Sequence, residues 1–257
     1  MIIDVNASLG PFAFRRLRHN TSEGLLRLMD SRKIDKAMVA SASAITYRNP
    51  QAGNEEVHDQ VKGHRDRLIP FGVINPTYAG WQDDLRICRD DFGMPGVRLY
   101  PNWHNFALSD ARCLDLVHTA SERGMIVSIP IRVEDPRQRS WLVDIPDLAL
   151  DAVAGLVKSC PAARFLILNG SGFPNSPLGK KTGGLPANYF LEISRLTAML
   201  DDELGHLVRD LGAERIVFGT GIPFTYPDPA LLKLRVVSAG EEARQRIAWK
   251  NVAQWLD

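Results

Sequence analysis

Several side chains able to bind or move charge stand where short apolar runs of this sequence end. Asn6 and Ser8 close the first run, Asn75 the third, and Arg98 and Tyr100 the fourth. Arg132 follows the fifth, Asn169 the sixth, Glu192 lies in the seventh and Thr220 follows the eighth. His104 lies just beyond the fourth, in Tyr100-Pro101-Asn102-Trp103-His104-Asn105. Two guanidiniums among neutral hydrogen-bonding groups suit a small anionic ligand, because an arginine can hold a carboxylate or phosphate through two parallel bonds. The competing reading is internal: Arg98 or Arg132 pairs with Glu192 or Asp4 to satisfy buried charge, with no ligand involved. Glu192 and His104 would make a metal-free acid/base pair if the fold brought them together, and at least one would need a shifted pKa.

The elements that must position these groups alternate along the whole chain. Apolar runs begin near Ile2, Lys36, Arg67, Gly96, Met125, Arg164, Asn188 and Arg215. Helical spacing lies between them, as in Trp81, Leu85, Cys88 and Phe92, or Leu204, Leu207, Val208 and Leu211 before Gly212. Asp110 caps a helix bearing Leu114, Val117 and Ala120, and a last helix starts near Glu241. Eight strand-helix units in 257 residues predict one α/β domain over residues 1–257, a (β/α)8 TIM barrel. The alternative, an open doubly wound sheet, usually carries a glycine-rich phosphate loop after its first strand, and Asn6-Ala7-Ser8-Leu9-Gly10-Pro11 does not match one.

Side chains alternate along a strand, so parity sorts them. It predicts Ile3, Val5 and Ala7 outward against helices, and Asp4, Asn6 and Ser8 inward. It likewise sends Val97, Leu99, Val127, Ile129, Leu191 and Ile193 outward. Arg98, Tyr100, Ser128, Arg132, Phe190, Glu192 and Ser194 then face inward. Closing the barrel between the first and last strands would bring Asn6 and Ser8 to Thr220 and Gly221. Thr46 to Asn54 and Ser171 to Pro186 read as long loops at the C-terminal mouth, where such barrels build sites.

Composition removes other classes. The chain carries 31 basic and 30 acidic residues, a net charge of +1, with no footprint for nucleic acid or an anionic membrane. No apolar run approaches the ~20 residues of a membrane span, and no basic-then-apolar leader opens the chain. Cys88, Cys113 and Cys160 have no zinc or redox spacing and predict reduced thiols. The expectation is a cytoplasmic protein. Neither Asn169-Gly170-Ser171-Gly172 nor Gly179-Lys180-Lys181-Thr182 completes a nucleophile elbow or a phosphate loop. The charged run Arg132 to Arg137 reads as a salt-bridged loop shaping the mouth.

Four stretches together resemble the amidohydrolase-related family, the TIM-barrel branch called amidohydrolase 2. They are Ile2-Ile3-Asp4-Val5, Gly96-Val97-Arg98-Leu99-Tyr100-Pro101, Phe218-Gly219-Thr220-Gly221-Ile222-Pro223-Phe224, and the ending with Ile247 and Asn251. The resemblance spans nearly the whole chain. It implies a metal-dependent hydrolase or decarboxylase of small, often carboxylated or cyclic substrates, and it is compatible with a homodimer. The family's metal ligands are degenerate here. Its first-strand His-x-His corresponds to Asn6 and Ser8, and its fifth-strand His falls where Pro130 and Arg132 stand. Its sixth-strand His corresponds to Asn169, and its eighth-strand Asp to Gly221. Asn and Ser are poor zinc ligands, so the expectation is no metal and no other cofactor.

Two functions remain open at this point. The first is a metal-independent hydrolase of a small anionic substrate, bound by Asn6, Arg98, Tyr100, Arg132 and Asn169, with His104 or Glu192 moving a proton. The second is a non-catalytic pseudoenzyme that binds a ligand or scaffolds. No nucleic-acid or membrane partner is expected for either.

Overall fold

The computed structural model describes residues 1–197 and 201–256. Eight parallel strands follow in chain order, each hydrogen-bonded to the next. They are β1 (Ile3–Leu9), β2 (Lys36–Ser41), β3 (Leu68–Val73), β4 (Gly96–Arg98), β5 (Ile126–Pro130), β6 (Arg164–Leu168), β7 (Tyr189–Glu192) and β8 (Ile216–Val217). Each begins within about one residue of the apolar run that predicts it. The ring closes through Val5 N–H to the Phe218 carbonyl at 3.0 Å, Gly221 N–H to the Asn6 carbonyl at 2.8 Å and Ser8 N–H to the Ile222 carbonyl at 2.9 Å. These bonds, with the parallel bridge between Ala7 and Ile222, make the sheet a TIM barrel.

Helices wrap the outside: α1 (Ser22–Arg32), α2 (Gln51–Val61), α3 (Trp81–Arg86), α4 (Pro101–His104), α5 (Ala111–Glu122), α6 (Leu150–Ser159), α7 (Glu203–Asp210) and α8 (Asp228–Val236). Thr21, Asp110 and Asp202 cap α1, α5 and α7 by accepting from backbone N–H groups. Gly212, at φ 100°, ends the α7 segment as the glycine stop predicts. A final helical run from Glu241 crosses the barrel base. There Asn251 donates to the Ala213 and Ile216 carbonyls at 2.7 and 2.8 Å, fastening that run to β8. Among the described residues no helix is long and apolar enough to cross a membrane. The three cysteines are buried and unpaired.

Two apolar layers share the burial. The outer one packs Val97, Leu99, Val127, Ile129, Leu191 and Ile193 on the helices, as parity predicts. The inner one fills the barrel with Met38, Phe71, Val73, Ile126, Leu166, Phe190 and Val217. Ile3 and Val5 belong to this inner layer, against the parity expectation, while Ala7 and Leu9 pack outward. The reason is a break in register between Asp4 and Ala7 where β1 pairs with β2. An irregularity of this kind resets which face each residue takes. Below it apolar residues enter the barrel; above it Asn6 and Ser8 do. The expected loop from Thr46 to Asn54 is also shorter, because α2 starts at Gln51. The loop from Ser171 to Pro186 is as expected, made of three short turns.

Candidate functional site

At the C-terminal mouth a narrow cleft, with room for about one water, opens between β1, β4, β5, β6 and the turn after β8. Its polar side is Asn6, Ser8, Arg98, Tyr100 and Asn169; its apolar side is Ile45, Pro130, Val133 and Phe224. Four of the five sequence-predicted binding residues therefore meet around one space.

A hydrogen-bonded network forms one wall. Glu192 is fully buried at the end of β7. Its Oε2 accepts from Asn6 Nδ2 at 3.1 Å, Asn169 N–H at 2.9 Å and Ser194 Oγ at 2.8 Å. Its Oε1 accepts from Ser194 N–H. Asn6 Nδ2 also reaches Asn169 Oδ1 at 2.9 Å, and Ser194 Oγ lies 2.9 Å from the same oxygen, its single proton shared between it and Glu192 Oε2. Asn169 takes a positive φ of 55°, a left-handed conformation that asparagine tolerates. Gly219 completes the fit: a Cβ there would stand 2.4 Å from Glu192 Cγ. Lys233, from α8, holds the far side. Its Nζ donates to the Ile193, Ser194 and Leu196 carbonyls at 2.9, 2.6 and 2.9 Å. Burial pulls its pKa down to about 8. The sequence carried a signal for it, a lysine inside the apolar stripe Ala230, Leu234 and Val237, which the strand-based reading passed over.

Arg98 is buried and, among the described residues, has no carboxylate partner. Its guanidinium donates to the Ala7 and Val5 carbonyls at 2.9 and 3.2 Å and to Ser128 Oγ at 3.2 Å. Internal pairing is thus partly right, with carbonyls exposed by the β1 irregularity in place of Glu192 or Asp4. Burial pushes the Tyr100 hydroxyl up from the usual range, against the opposing pull of hydrogen bonds to Arg98 and Ser8. Asp4 pairs instead with the β8 turn. Its Oδ2 accepts from Thr220 Oγ1 at 2.5 Å, and its Oδ1 from the Thr220 and Asn6 N–H groups at 3.0 and 2.9 Å. Burial, with a smaller push from Glu192, raises its pKa to about 6.

Three expected mouth residues lie elsewhere. Arg132 turns to Asp147 at 2.6 Å and lines a small adjoining cleft with Arg139. It stands past the end of β5, where strand alternation no longer applies. His104 packs behind the wall in α4, with Nε2 3.1 Å from the Ala44 carbonyl and burial lowering its pKa. It does not line the mouth cleft. Asn75 is spent on its own loop, accepting from Thr77 and donating to the Arg48 carbonyl. The Arg132-to-Arg137 run is the salt-bridged loop expected: Glu134 pairs with Arg15 at 3.2 Å, and Asp135 with Arg137 and Arg195 at 2.9 and 3.1 Å.

The positions to which the family resemblance assigns metal ligands do not fit a metal here. Asn6 and Asn169 bond directly to each other. At Gly221, φ is 75°, and a Cβ would come 3.1 Å from Asn169 Oδ1, so an aspartate could not stand there without strain. Among the described residues no three His, Cys, Asp or Glu side chains gather closely enough to hold an ion.

Solved structures share this architecture. The 5-carboxyvanillate decarboxylase from Sphingomonas paucimobilis superposes with a TM-score of 0.73 at 14% identity, covering 99% of this chain and 98% of its own. An amidohydrolase II does so at 0.72 and 16%, covering 100% and 99%. The chain has the fold of amidohydrolase-type barrels. The 4-oxalomesaconate hydratase from Rhodopseudomonas palustris agrees at 0.70 and 14%, covering 99% and 95%. No protein-family model matches the chain, and no curated protein matches it either. The likeness to these amidohydrolase-type barrels is one of fold, carried by the whole chain.

Proposed function

We propose that this barrel binds a small carboxylated, cyclic molecule at its mouth and has exchanged its relatives' metal-assisted chemistry for ligand binding. The observation that carries this is the Asn6–Asn169–Glu192–Ser194 network, in which Asn6 and Asn169, two positions the family resemblance assigns to metal ligands, are bonded to each other and to Glu192. The lining of the cleft is amphipathic: Ser8, Arg98 and Tyr100 offer donors to a carboxylate, and Ile45, Val133 and Phe224 offer a ring apolar contact once the cleft widens to admit it. A buried guanidinium without a carboxylate partner favours an anion, since a charge-assisted bond is strong where water is excluded. The names of two structural neighbours, a carboxyvanillate decarboxylase and an oxalomesaconate hydratase, support a carboxylated ligand.

Binding is favoured over metal-independent hydrolysis because neither expected proton carrier lines the mouth cleft. Glu192 already accepts four hydrogen bonds. His104 lies behind the wall.

Titration calorimetry against hydroxybenzoates and unsubstituted benzoate tests this, with Tyr100→Phe and Ser8→Ala as variants. Binding by the parent protein that weakens in both variants supports the reading. No binding to any cyclic carboxylate would sink it. Zinc-dependent turnover after metal reload would restore the hydrolase.

A further inference from the structure

Beyond the mouth, on the other side of Phe224, lies a groove of about 470 Å³. Phe224 lines both spaces. The groove runs between the segment 15–19, after β1, and the turn 222–228, after β8. Four arginines line it, Arg15, Arg16, Arg18 and Arg32, against one acid, Asp228. Arg15 is committed to Glu134, Gln138 and the Phe224 carbonyl, and Arg32 to Asp228. Arg16 and Arg18 are exposed and, among the described residues, form no ion pair. Between them Leu17 turns inward and is buried, so the backbone holds the two guanidiniums on the solvent side of one short segment. Tyr226, on the opposite lip, is 73% exposed.

We propose that this groove binds a phosphorylated small molecule bearing a planar ring, of the nucleoside diphosphate class. Two free guanidiniums match a phosphate dianion better than a single carboxylate, because each can supply two parallel bonds. The unpacked Tyr226 face gives a planar ring something to stack on. The groove is far larger than the mouth cleft, as a diphosphate with a ring requires. This site is separate from the mouth ligand proposed above and does not depend on it.

Calorimetry at about 50 mM salt, where exposed charges are weakly screened, uses ADP, pyrophosphate and adenosine as probes. ADP is expected to bind most tightly, pyrophosphate less so, and adenosine least. Arg16→Ala/Arg18→Ala should weaken ADP about tenfold or more, because it removes two charge-assisted donors to the phosphates. Tyr226→Ala should bring ADP down to the affinity of pyrophosphate. Arg123→Ala removes one charge at the opposite end of the barrel and should change nothing. All the substituted side chains lie on the surface, and circular dichroism checks that each variant is folded. Absence of ADP and pyrophosphate binding at millimolar concentration would overturn the proposal, as would ADP binding unchanged in the double arginine variant. Equal affinity for ADP and pyrophosphate would overturn the planar-ring assignment.

Discussion

The base of the barrel and its mouth are built from the same eight strands by opposite means. The base is filled with Ile3, Val5, Met38, Phe71, Leu166 and Val217, which need only shape and volume. The mouth is filled with Asn6, Asn169, Glu192 and Arg98, whose donors and acceptors must find one another. An apolar layer answers truncation in proportion to the atoms removed. A buried polar network does not, because deleting one member leaves the others desolvated and unpaired. The two regions should therefore answer mutation differently, and only the mouth should couple stability to ligand binding.

The largest effect should come from Glu192→Ala. It orphans the backbone N–H groups of Asn169 and Ser194 and leaves Asn6 Nδ2 and the Ser194 hydroxyl with Asn169 Oδ1 alone, so a loss of roughly 3–5 kcal/mol is expected. Urea unfolding measures it, and the mouth ligand should no longer bind. A loss below about 1 kcal/mol would show that the network is not what holds the mouth. Leu166→Ala, in the base, should cost about 3 kcal/mol through a cavity. At temperatures where the variant stays folded its ligand affinity should match the parent's. Weakened binding would break the separation between the two regions.

Asp4 links them, and its sign can be worked out. Its folded pKa, about 6, lies above its ordinary 3.8, so the native state takes up this proton more readily than the unfolded chain. The stability it contributes is present below the unfolded value and is lost as pH rises through about 6. Relative to Asp4→Asn, the parent protein should lose about 2–3 kcal/mol between pH 4 and 7. Parallel pH profiles for the two proteins would contradict the burial argument. Lys233→Met removes the shared donor of three carbonyls beside Ser194. A cost of about 1–2 kcal/mol is expected, with mouth affinity falling more than stability alone explains. The smallest effect is expected at Arg137, whose side chain is 88% exposed in its pair with Asp135. Arg137→Ala should stay within about 0.5 kcal/mol of the parent, because water screens such pairs.

The fold was legible because it repeats a simple signal. Every strand start is marked by an apolar run, and parity places Val97, Val127 and Leu191 on the helices. The same rule misplaces Ile3 and Val5, since nothing in Ile3-Asp4-Val5-Asn6-Ala7 marks the register break that resets the alternation. Arg132 fails for a related reason: past Pro130 the chain is no longer strand, and Asp147 captures the guanidinium. His104 is placed correctly in the loop after β4, but the four-residue α4 aims its ring at the Ala44 carbonyl. Net charge hid the groove, because a sum over the chain carries no position. Arg16 and Arg18 become a patch only when the turn 222–228 folds against them.

By itself, then, the sequence determined the barrel and the residue types at its strand ends, among them Asn6, Asn169 and Gly221. Those follow from local periodicity and residue chemistry, which act over a few positions. Tertiary structure decided which polar groups satisfy each other and which remain for a ligand. Asn6 meets Glu192 across 186 positions of chain, and Arg98 meets the Ala7 carbonyl across 91. Such pairings depend on register, on side-chain direction and on what burial leaves unpaired, and these exist only once the ring of strands has closed.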